Sequence, residues 1–288
     1  MRSSQIFREL IKTQELVQLP GCYDCITAKM VEKSGFPAAY LTGSGISLTL
    51  TGQPDLNTVS YLELRQVVQN IRSTVDIPML VDIDTGFGAP LNTYRLVKDF
   101  ERLDIAAVQL EDQMMPKKCG HELGRVLVSD TEMVKRIRTI YENREENWLV
   151  IVARTDARTV IGLDEAIRRG NLYLGAGADV IFVESPESYE EVCRIAKEIN
   201  GPVLFNNVEG GRSPFLSREQ LIDAGVKLTI YPNAQTRVVT KKCTELLETL
   251  KKTGSTGQMA DQMLSHKELW AMFDHEKWVA IENKYIVR

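Results

Sequence analysis

Short apolar runs recur along the chain, and segments with helical spacing of their apolar positions separate them. The eight runs cover residues 17–19, 38–42, 78–84, 106–111, 149–156, 180–184, 203–207 and 228–231. Runs that are short, β-branched and apolar throughout are typical of strands buried on both faces of a parallel sheet. The pattern therefore predicts eight parallel strands.

The segments between these runs carry helix-start signals. Serine followed three residues later by Glu or Gln forms a capping-box sequence at Ser60, Ser129, Ser188 and Ser217. Eight strand–helix units in about 240 residues match the size of a (β/α)₈ barrel. A doubly wound open sheet is the alternative, but no glycine-rich phosphate loop follows the first strand. We predict one barrel domain over residues 1–288, with a helical tail from about residue 255.

Composition and charge exclude several classes of protein. With 35 Lys+Arg against 39 Asp+Glu, the net charge of −4 gives no electrostatic basis for binding nucleic acid or an anionic membrane. No apolar stretch approaches the roughly 20 residues of a membrane helix, and the first 19 residues lack the apolar core of a signal peptide. The five cysteines, an odd number, argue against a disulfide framework. We expect a cytoplasmic protein without nucleic-acid or membrane partners.

Polar side chains follow nearly every predicted strand, at the end where (β/α)₈ barrels place their active sites. They are Thr42-Gly43-Ser44, Asp82 and Asp84, Glu111 and Asp112, Arg154 and Asp156, Glu184, Asn206 and Asn207, and Tyr231-Pro232-Asn233. One aspartate at such a position most often caps the next helix. So many polar strand ends together indicate a functional site instead.

Two carboxylates at the end of the third strand predict a metal site. Asp82 and Asp84 are two residues apart, so both side chains point to the same side of the strand. Converging carboxylates repel each other, and a divalent cation relieves that repulsion. With oxygen ligands and no histidine cluster, the expected ion is Mg²⁺ or Mn²⁺ rather than zinc. We expect it to keep several waters and to have one direct protein ligand.

The other strand ends predict a pocket for a small acid. Arg154 suits bidentate recognition of a carboxylate. Thr42, Gly43 and Ser44 offer backbone N–H groups and hydroxyls for a second carboxylate, and Asn206 adds a neutral donor. The expected ligand is therefore a small di- or tricarboxylate bound to the metal.

One cysteine has the surroundings of a reactive thiol. Cys119 follows Lys117 and Lys118 and precedes Gly120 and His121. Positively charged neighbours lower the pKa of a thiol. Cys119 could act as a general acid that protonates a carbanion, or as a nucleophile that needs a base such as His121.

Taken together, these motifs resemble the isocitrate lyase and phosphoenolpyruvate mutase superfamily over essentially the whole chain. The matching stretches are residues 20–24, 52–55, 81–88, 111–113, 116–121, 153–157 and 206–211. The resemblance implies a (β/α)₈ barrel, Mg²⁺ dependence and an α-keto-acid or 2-hydroxy-acid substrate. It also implies a homotetramer in which the eighth barrel helix swaps between subunits. This would give the tail, which carries Trp270, Phe273 and Trp278, a surface to bury against.

Within the superfamily, the Lys-Lys-Cys-Gly-His loop is similar to that of the small carbon–carbon lyases, such as methylisocitrate lyase, 2,3-dimethylmalate lyase and the petal death protein. Phosphonate-forming mutases carry an asparagine-bearing loop there. Val208 replaces the hydroxyl that methylisocitrate lyases direct at an additional carboxylate, and His266 replaces an arginine. Both changes favour a dicarboxylate substrate. Arg237, at a position where those lyases also have arginine, points back toward them.

The resemblance thus implies reversible cleavage of a 2-alkylated malate, such as 2,3-dimethylmalate, to pyruvate and a short carboxylic acid. The expected residues are Asp82, Asp84, Glu111 and Asp55 for the metal, Tyr40 as base, Cys119 as acid, Gly120 as loop hinge with His121 beside it, and Thr42, Gly43, Ser44, Arg154, Glu184, Asn206 and Arg237 for the substrate. Competing activities are cleavage of 2-methylisocitrate, hydrolysis or decarboxylation of oxaloacetate, and a carboxyphosphonoenolpyruvate mutase reaction. A catalytically silent scaffold is the alternative outside enzymology.

Overall fold

The computed structural model describes residues 1–120, 122, 124–145 and 148–286. Over these ranges, eight parallel strands form a closed barrel in which each strand pairs with the next and the last pairs with the first. The strands are β1 (Val17–Cys22), β2 (Ala39–Leu41), β3 (Met79–Asp82), β4 (Ala107–Glu111), β5 (Val150–Thr155), β6 (Val180–Val183), β7 (Val203–Asn206) and β8 (Leu228–Tyr231). The predicted barrel is confirmed, and the open sheet is excluded.

Helices alternate with the strands. In the described part of the chain they are α1 (Ser3–Thr13), α2 (Cys25–Lys33), α3 (Gly43–Thr51), α4 (Tyr61–Arg72), α5 (Pro90–Arg102), α6 (Asp130–Tyr141), α7 (Ala157–Val160), α8 (Leu163–Gly175), α9 (Tyr189–Glu198), α10 (Arg218–Asp223), α11 (Ala234–Thr253), α12 (His266–Met272) and α13 (His275–Tyr285). All four predicted serines are N-caps. Ser60 and Ser217 form the reciprocal capping box, whereas Ser129 and Ser188 accept one N–H from the third helical residue.

Alternate strand residues pack into two separate cores, as the two-residue period of a strand requires. Leu80 and Phe182 belong to the cluster that fills the barrel, and Phe7 of α1 joins that cluster. Val81 follows Leu80 and Ile181 precedes Phe182, and both belong to the larger cluster between the strands and the outer helices. The two rows of each strand therefore differ in what they contact.

The chain divides into two compact units, Met1–Ala234 and Gln235–Arg288. The first contains every strand of the barrel. In the second, Trp270, Trp278 and Tyr285 are 46%, 67% and 71% exposed. The single-domain organisation with a tail from about residue 255 stays a prediction. Across the described ranges, every helix is too short or too polar to cross a membrane.

Candidate active site

The side-chain rows that face the barrel interior change from apolar to polar at the C-terminal ends of the strands. On β3, Leu80 lies in the inner core and Asp82 is two residues further on. After β6, Glu184 stands in the same relation to Phe182. Because residues two apart share one face of a strand, the polar strand ends collect at one end of the barrel.

A cavity of about 420 Å³ opens at this end. Its lining residues are Tyr40, Thr42, Ser44, Asp55, Asp82, Cys119, Gly120, Arg154, Phe182, Glu184, Asn206, Val208, Ile230, Pro232 and Asn233. A second cavity of about 300 Å³ has Asp55 and Asp82 in its lining as well, together with Gly43 and Asp84. Most of the residues singled out in the sequence therefore surround one space.

Three of the predicted site residues are not among the described residues that line either cavity. Glu111 is buried rather than part of either cavity wall, and its Oε2 lies 3.4 Å from Arg154 Nη1. Arg237 is in α11, in the second compact unit. His121 lies outside the described residues. The functional roles given to these residues stay predictions.

Asp55, Asp82 and Asp84 form a cluster of carboxylates around one ammonium group. Lys117 Nζ lies 2.6 Å from Asp55 Oδ1 and 2.8 Å from Asp84 Oδ1. The Tyr40 hydroxyl donates a hydrogen bond to Asp82 Oδ2 at 3.1 Å. Burial and then the charge of Asp84 raise the pKa of Asp82 to about 6. Burial, followed by the charge of Asp82, also raises the pKa of Tyr40 well above its ordinary value.

The donor atoms at this cluster suit a hard divalent cation. Burial raises the pKa of Glu111 well above its usual range, and its Oε1 accepts no hydrogen bond from the described residues. Those residues include no group of three or more His, Cys, Asp or Glu side chains arranged as a ready metal cage. Mg²⁺ does not require one, because it usually keeps several waters and binds through one or two carboxylates. A buried carboxylate oxygen like Glu111 Oε1, which accepts no hydrogen bond from the described residues, suits such an ion.

Arg154 is held in one orientation by carboxylates on three sides. Its Nε and Nη2 donate to the two oxygens of Asp156 at 3.0 and 2.9 Å. Its Nη1 lies 3.4 Å from Glu111 Oε2 and 3.5 Å from Glu184 Oε2. Burial alone would lower the pKa of Arg154, but these carboxylates, Asp156 first, raise it well above its ordinary value. The guanidinium is a permanent cation on the cavity wall.

Two non-glycine residues at strand ends have left-handed backbone conformations. Asp84 has φ of 48° and Ser185 has φ of 58°, a conformation that costs an L-residue about 1–2 kcal/mol. The Asp84 carboxylate meets Lys117, and the Ser185 hydroxyl donates to the Gly120 carbonyl at 3.0 Å. Both strained residues therefore make contacts that hold the loop between β4 and α6 against the site.

That loop carries Cys119 onto the cavity wall. The Gln113 amide exchanges two hydrogen bonds of 2.9 Å with the backbone of Lys118. The hydrogen bond from Ser185 fixes the next turn at Gly120. Cys119, between these two anchored residues, is partly exposed and lines the cavity that also contains Arg154.

Gly120 approaches the site too closely for any side chain. A Cβ built there would lie 2.6 Å from both Arg154 Nη2 and Glu184 Oε2. Gly120 is not among the residues with positive φ. Close approach, rather than an unusual backbone conformation, explains the glycine in this structure, and its role as a hinge stays a prediction.

Substituting Gly120 by alanine is expected to lower kcat/KM by about tenfold to a hundredfold, because the added methyl group displaces the loop from Arg154 and Glu184. Steady-state kinetics beside thermal denaturation measures this. The matched control is Gly175→Ala at the end of α8, where a Cβ meets nothing within 4 Å. Equal activity of Gly120→Ala and the wild type would show that the loop does not need this close contact.

Two functional features are missing from the sequence interpretation. The sequence indicates Lys117 only as a positive neighbour of Cys119, yet the side chain is buried and pairs with Asp55 and Asp84. The sequence indicates Asp156 only as a polar strand end, yet it pairs with both Arg154 and Arg125. A lysine in the loop that follows several acidic strand ends is the sequence signal that indicates the first feature.

Comparisons with known proteins agree with this arrangement. The family model described as phosphoenolpyruvate phosphomutase matches residues 7–251. A 2,3-dimethylmalate lyase of Eubacterium barkeri is 42% identical over 285 residues, which is 99% of this chain and 99% of that protein. A 2-methylisocitrate lyase of Halalkalibacterium halodurans is 38% identical over 96% of this chain and 91% of its own length.

Solved structures extend the similarity to the fold. Oxaloacetate acetylhydrolase in complex with the inhibitor 3,3-difluorooxalacetate has a TM-score of 0.93 at 29% identity, covering 98% of this chain and 97% of that chain. A phosphonopyruvate hydrolase in complex with oxalate and Mg²⁺ has a TM-score of 0.89 at 27% identity, covering 99% of both. By its match to the family model over residues 7–251 and its 42% identity to a lyase over 99% of the chain, the protein is a member of the phosphoenolpyruvate mutase/isocitrate lyase superfamily.

Proposed function

We propose that this protein is a Mg²⁺-dependent lyase that cleaves a 2-alkylated malate, such as 2,3-dimethylmalate, reversibly into pyruvate and a short carboxylic acid. One observation carries the proposal: a single cavity combines carboxylates, one arginine, an apolar patch and a cysteine. The 42% identity to a 2,3-dimethylmalate lyase over the whole chain supports this choice of substrate.

The metal would be held by Asp82, Asp84 and Glu111, with Asp55 nearby, one of them directly and the others through water. When bound, Mg²⁺ supplies a Lewis acid that stabilises negative charge on the 2-oxygen and adjacent carboxylate of the substrate. The orphaned Glu111 Oε1 and the Mg²⁺ in the phosphonopyruvate hydrolase complex support this assignment. Mn²⁺ has the same preference for oxygen ligands and would substitute.

The protein's own groups would move two protons and stabilise one charge. Tyr40 takes the proton of the substrate's 2-hydroxyl as it passes its own proton to Asp82, the carboxylate to which its hydroxyl already donates a hydrogen bond beside the cavity. The C2–C3 bond then breaks, the 2-oxygen becomes the carbonyl of pyruvate, and the electron pair passes to the other fragment as an enediolate. Arg154 and Asn206 stabilise its charge, and the Cys119 thiol donates a proton to its carbon. From 2,3-dimethylmalate the second product is propionate.

The apolar lining residues favour an alkylated dicarboxylate. Phe182, Val208 and Ile230 line the cavity without offering a hydrogen-bond donor from their side chains. Among the described lining residues, the positive charge is that of Arg154. A methyl group therefore finds apolar contacts there, whereas a third carboxylate finds no second cation among these lining residues. This argues for a 2-alkylmalate over 2-methylisocitrate.

Two other reactions of the same site have specific support. The 38% identical 2-methylisocitrate lyase and the presence of Arg237 favour cleavage of 2-methylisocitrate. The fold similarity to oxaloacetate acetylhydrolase favours hydrolysis of oxaloacetate. The three reactions differ in the product that accompanies or replaces pyruvate, so a product assay separates them.

A substrate panel tests the proposal. Purified protein is given 2,3-dimethylmalate, 2-methylisocitrate, isocitrate or oxaloacetate with Mg²⁺, and the products are identified. We expect pyruvate and propionate from the first, with activity lost in EDTA and restored by Mg²⁺ or Mn²⁺. Succinate from 2-methylisocitrate, or oxalate and acetate from oxaloacetate, with no turnover of alkylmalates, would contradict the assignment.

We further propose that the protein assembles as a homotetramer in which a C-terminal helix is exchanged between subunits. The exposure of Trp270, Trp278 and Tyr285 supports this, because several large aromatic side chains in one short segment seldom all remain open to water on a monomer. Sedimentation of the purified protein measures the assembly, and a monomer at assay concentration would rule it out.

A further inference from the structure

Asp156 lies between two arginines that come from different parts of the fold. It follows β5 and is fully buried. Its two oxygens accept hydrogen bonds from Arg154 Nε and Nη2, and Oδ1 also accepts one from Arg125 Nη1. Burial alone would raise the pKa of Asp156, but the two guanidinium groups, Arg154 first, hold it below its ordinary value. One carboxylate is therefore shared by both cations.

The backbone that carries Asp156 is itself clamped by a second buried carboxylate. Asp112 Oδ1 accepts the Asp156 N–H at 2.9 Å, and its Oδ2 accepts the Thr155 hydroxyl at 2.7 Å. The Tyr173 hydroxyl and Arg169 Nη1 also donate to Asp112 Oδ2, at 2.8 and 3.0 Å. The Asp156 backbone therefore cannot shift toward either arginine without breaking its hydrogen bond to Asp112.

Arg125 belongs to the loop that carries Cys119. An isolated antiparallel bridge between Gln113 and Leu127 closes the base of that loop. Arg125 lies two residues before Leu127 and is only 5% exposed. Its hydrogen bond to Asp156 joins the loop to the end of β5, 31 residues further along the chain. The same carboxylate therefore anchors both the loop and Arg154.

Arg154 would take another orientation without Asp156. Its Nη1 already lies 3.4 Å from Glu111 Oε2 and 3.5 Å from Glu184 Oε2. If the charge of Asp156 were removed, those two carboxylates would be the remaining partners and would draw the guanidinium toward them. The shared carboxylate decides which face of Arg154 is offered to the cavity.

We propose that Asp156 is a positioning residue that orients Arg154 for the substrate carboxylate and couples that orientation to the seating of the Cys119 loop through Arg125. The coupling deepens the proposed function and rests on it, because it takes Arg154 as the carboxylate receptor. With Arg125 seated, the receptor and the thiol are fixed together. With Arg125 released, the loop loses its attachment to Asp156, and the Asp156 carboxylate that orients Arg154 loses one of its two cationic partners.

The test uses Asp156→Asn, which keeps the side-chain shape and removes the charge. We expect KM for 2,3-dimethylmalate to rise about tenfold or more, with a smaller fall in kcat, because Arg154 is present but misaligned. A second readout needs no substrate: iodoacetamide should alkylate Cys119 several-fold faster than in the wild type. Peptide mass spectrometry measures that rate, with the partly exposed Cys193 as the internal reference.

Arg125→Met tests the same link from the loop side and replaces the first variant if Asp156→Asn does not fold. It should shift KM and the alkylation rate of Cys119 in the same direction. The double variant should show a KM and an alkylation rate no further from the wild type than those of the more affected single variant, since both residues act through one contact.

The matched control is Asp179→Asn. Asp179 also pairs with two arginines, Arg8 and Arg144, but it precedes β6 at the other end of the strand. It should lose stability and keep KM and the Cys119 rate.

Folded variants at Asp156 and Arg125 with the wild-type KM and Cys119 rate would overturn the coupling, as would changes equal to those of Asp179→Asn. If the proposed function is wrong, the wild type itself will release no pyruvate from 2,3-dimethylmalate, and this result distinguishes the two failures. The alkylation rates of Cys119 then test the coupling without any substrate. Faster modification of Cys119 in both variants supports the coupling, and unchanged modification overturns it.

Discussion

Replacement of Cys119 by serine is expected to lower kcat for pyruvate release by about 10²- to 10⁴-fold, the usual contribution of a general acid, and to change KM little. Serine fills nearly the same volume, so the cavity shared with Arg154 and Asn206 keeps its form. Its hydroxyl is a far weaker acid than a thiol and does not readily give a proton to carbon near neutral pH. Steady-state kinetics with 2,3-dimethylmalate measures the loss.

The control for this substitution is Cys193→Ser in α9, another partly exposed cysteine outside the cavity lining, which should leave kcat unchanged. Calorimetry should find that Cys119→Ser still binds pyruvate in the presence of Mg²⁺. In D₂O the wild-type reaction should place one deuterium at C2 of propionate. An unchanged kcat in Cys119→Ser would remove the thiol from the mechanism.

The strands could be predicted because a strand that is buried on both faces is a continuous run of apolar residues in the sequence. The run at residues 106–111 corresponds to β4 (Ala107–Glu111), and the run at 228–231 corresponds to β8 (Leu228–Tyr231). The first strand is the exception, since its apolar run ends at residue 19, whereas β1 continues through Pro20 and Gly21 to Cys22. A Cβ on Gly21 would lie 2.1 Å from the Pro232 carbonyl oxygen. The glycine serves close packing of two chain segments, which composition alone cannot distinguish from a turn.

The residues at the strand ends could also be predicted, because the two-residue period and the barrel topology decide where they face. The contacts of the loop after β4 could not. Lys117 reaches Asp55 from 62 positions away, and Arg125 reaches Asp156 from 31. Such pairings depend on the path of an irregular loop, and no periodicity records that path. The sequence therefore indicated the chemistry of the cavity, but not what orients Arg154 or which group meets the carboxylate cluster.

The substitution Asp82→Ala is expected to weaken Mg²⁺ binding by about a hundredfold or more and to abolish Mg²⁺-dependent turnover, since losing even a supporting residue of a metal site costs about 10- to 100-fold. Asp82 lies in the lining of both cavities. Its Oδ1 accepts hydrogen bonds from the Gln109 amide and the Asp84 N–H, and its Oδ2 accepts the Tyr40 hydroxyl. Calorimetric titration with Mg²⁺ measures binding independently of activity.

Two further variants separate the charge of Asp82 from its shape. Asp82→Asn keeps an acceptor for Tyr40 but removes the charge, so it should lose Mg²⁺ affinity nearly as Asp82→Ala does. Asp76→Ala, in the exposed turn before β3, should bind Mg²⁺ as the wild type does. Wild-type Mg²⁺ affinity in Asp82→Ala would place the ion elsewhere. Full activity of EDTA-treated wild type would instead mean that the surplus carboxylate charge is balanced by Lys117 and Arg154 alone, and that the C–C bond breaks without a Lewis acid.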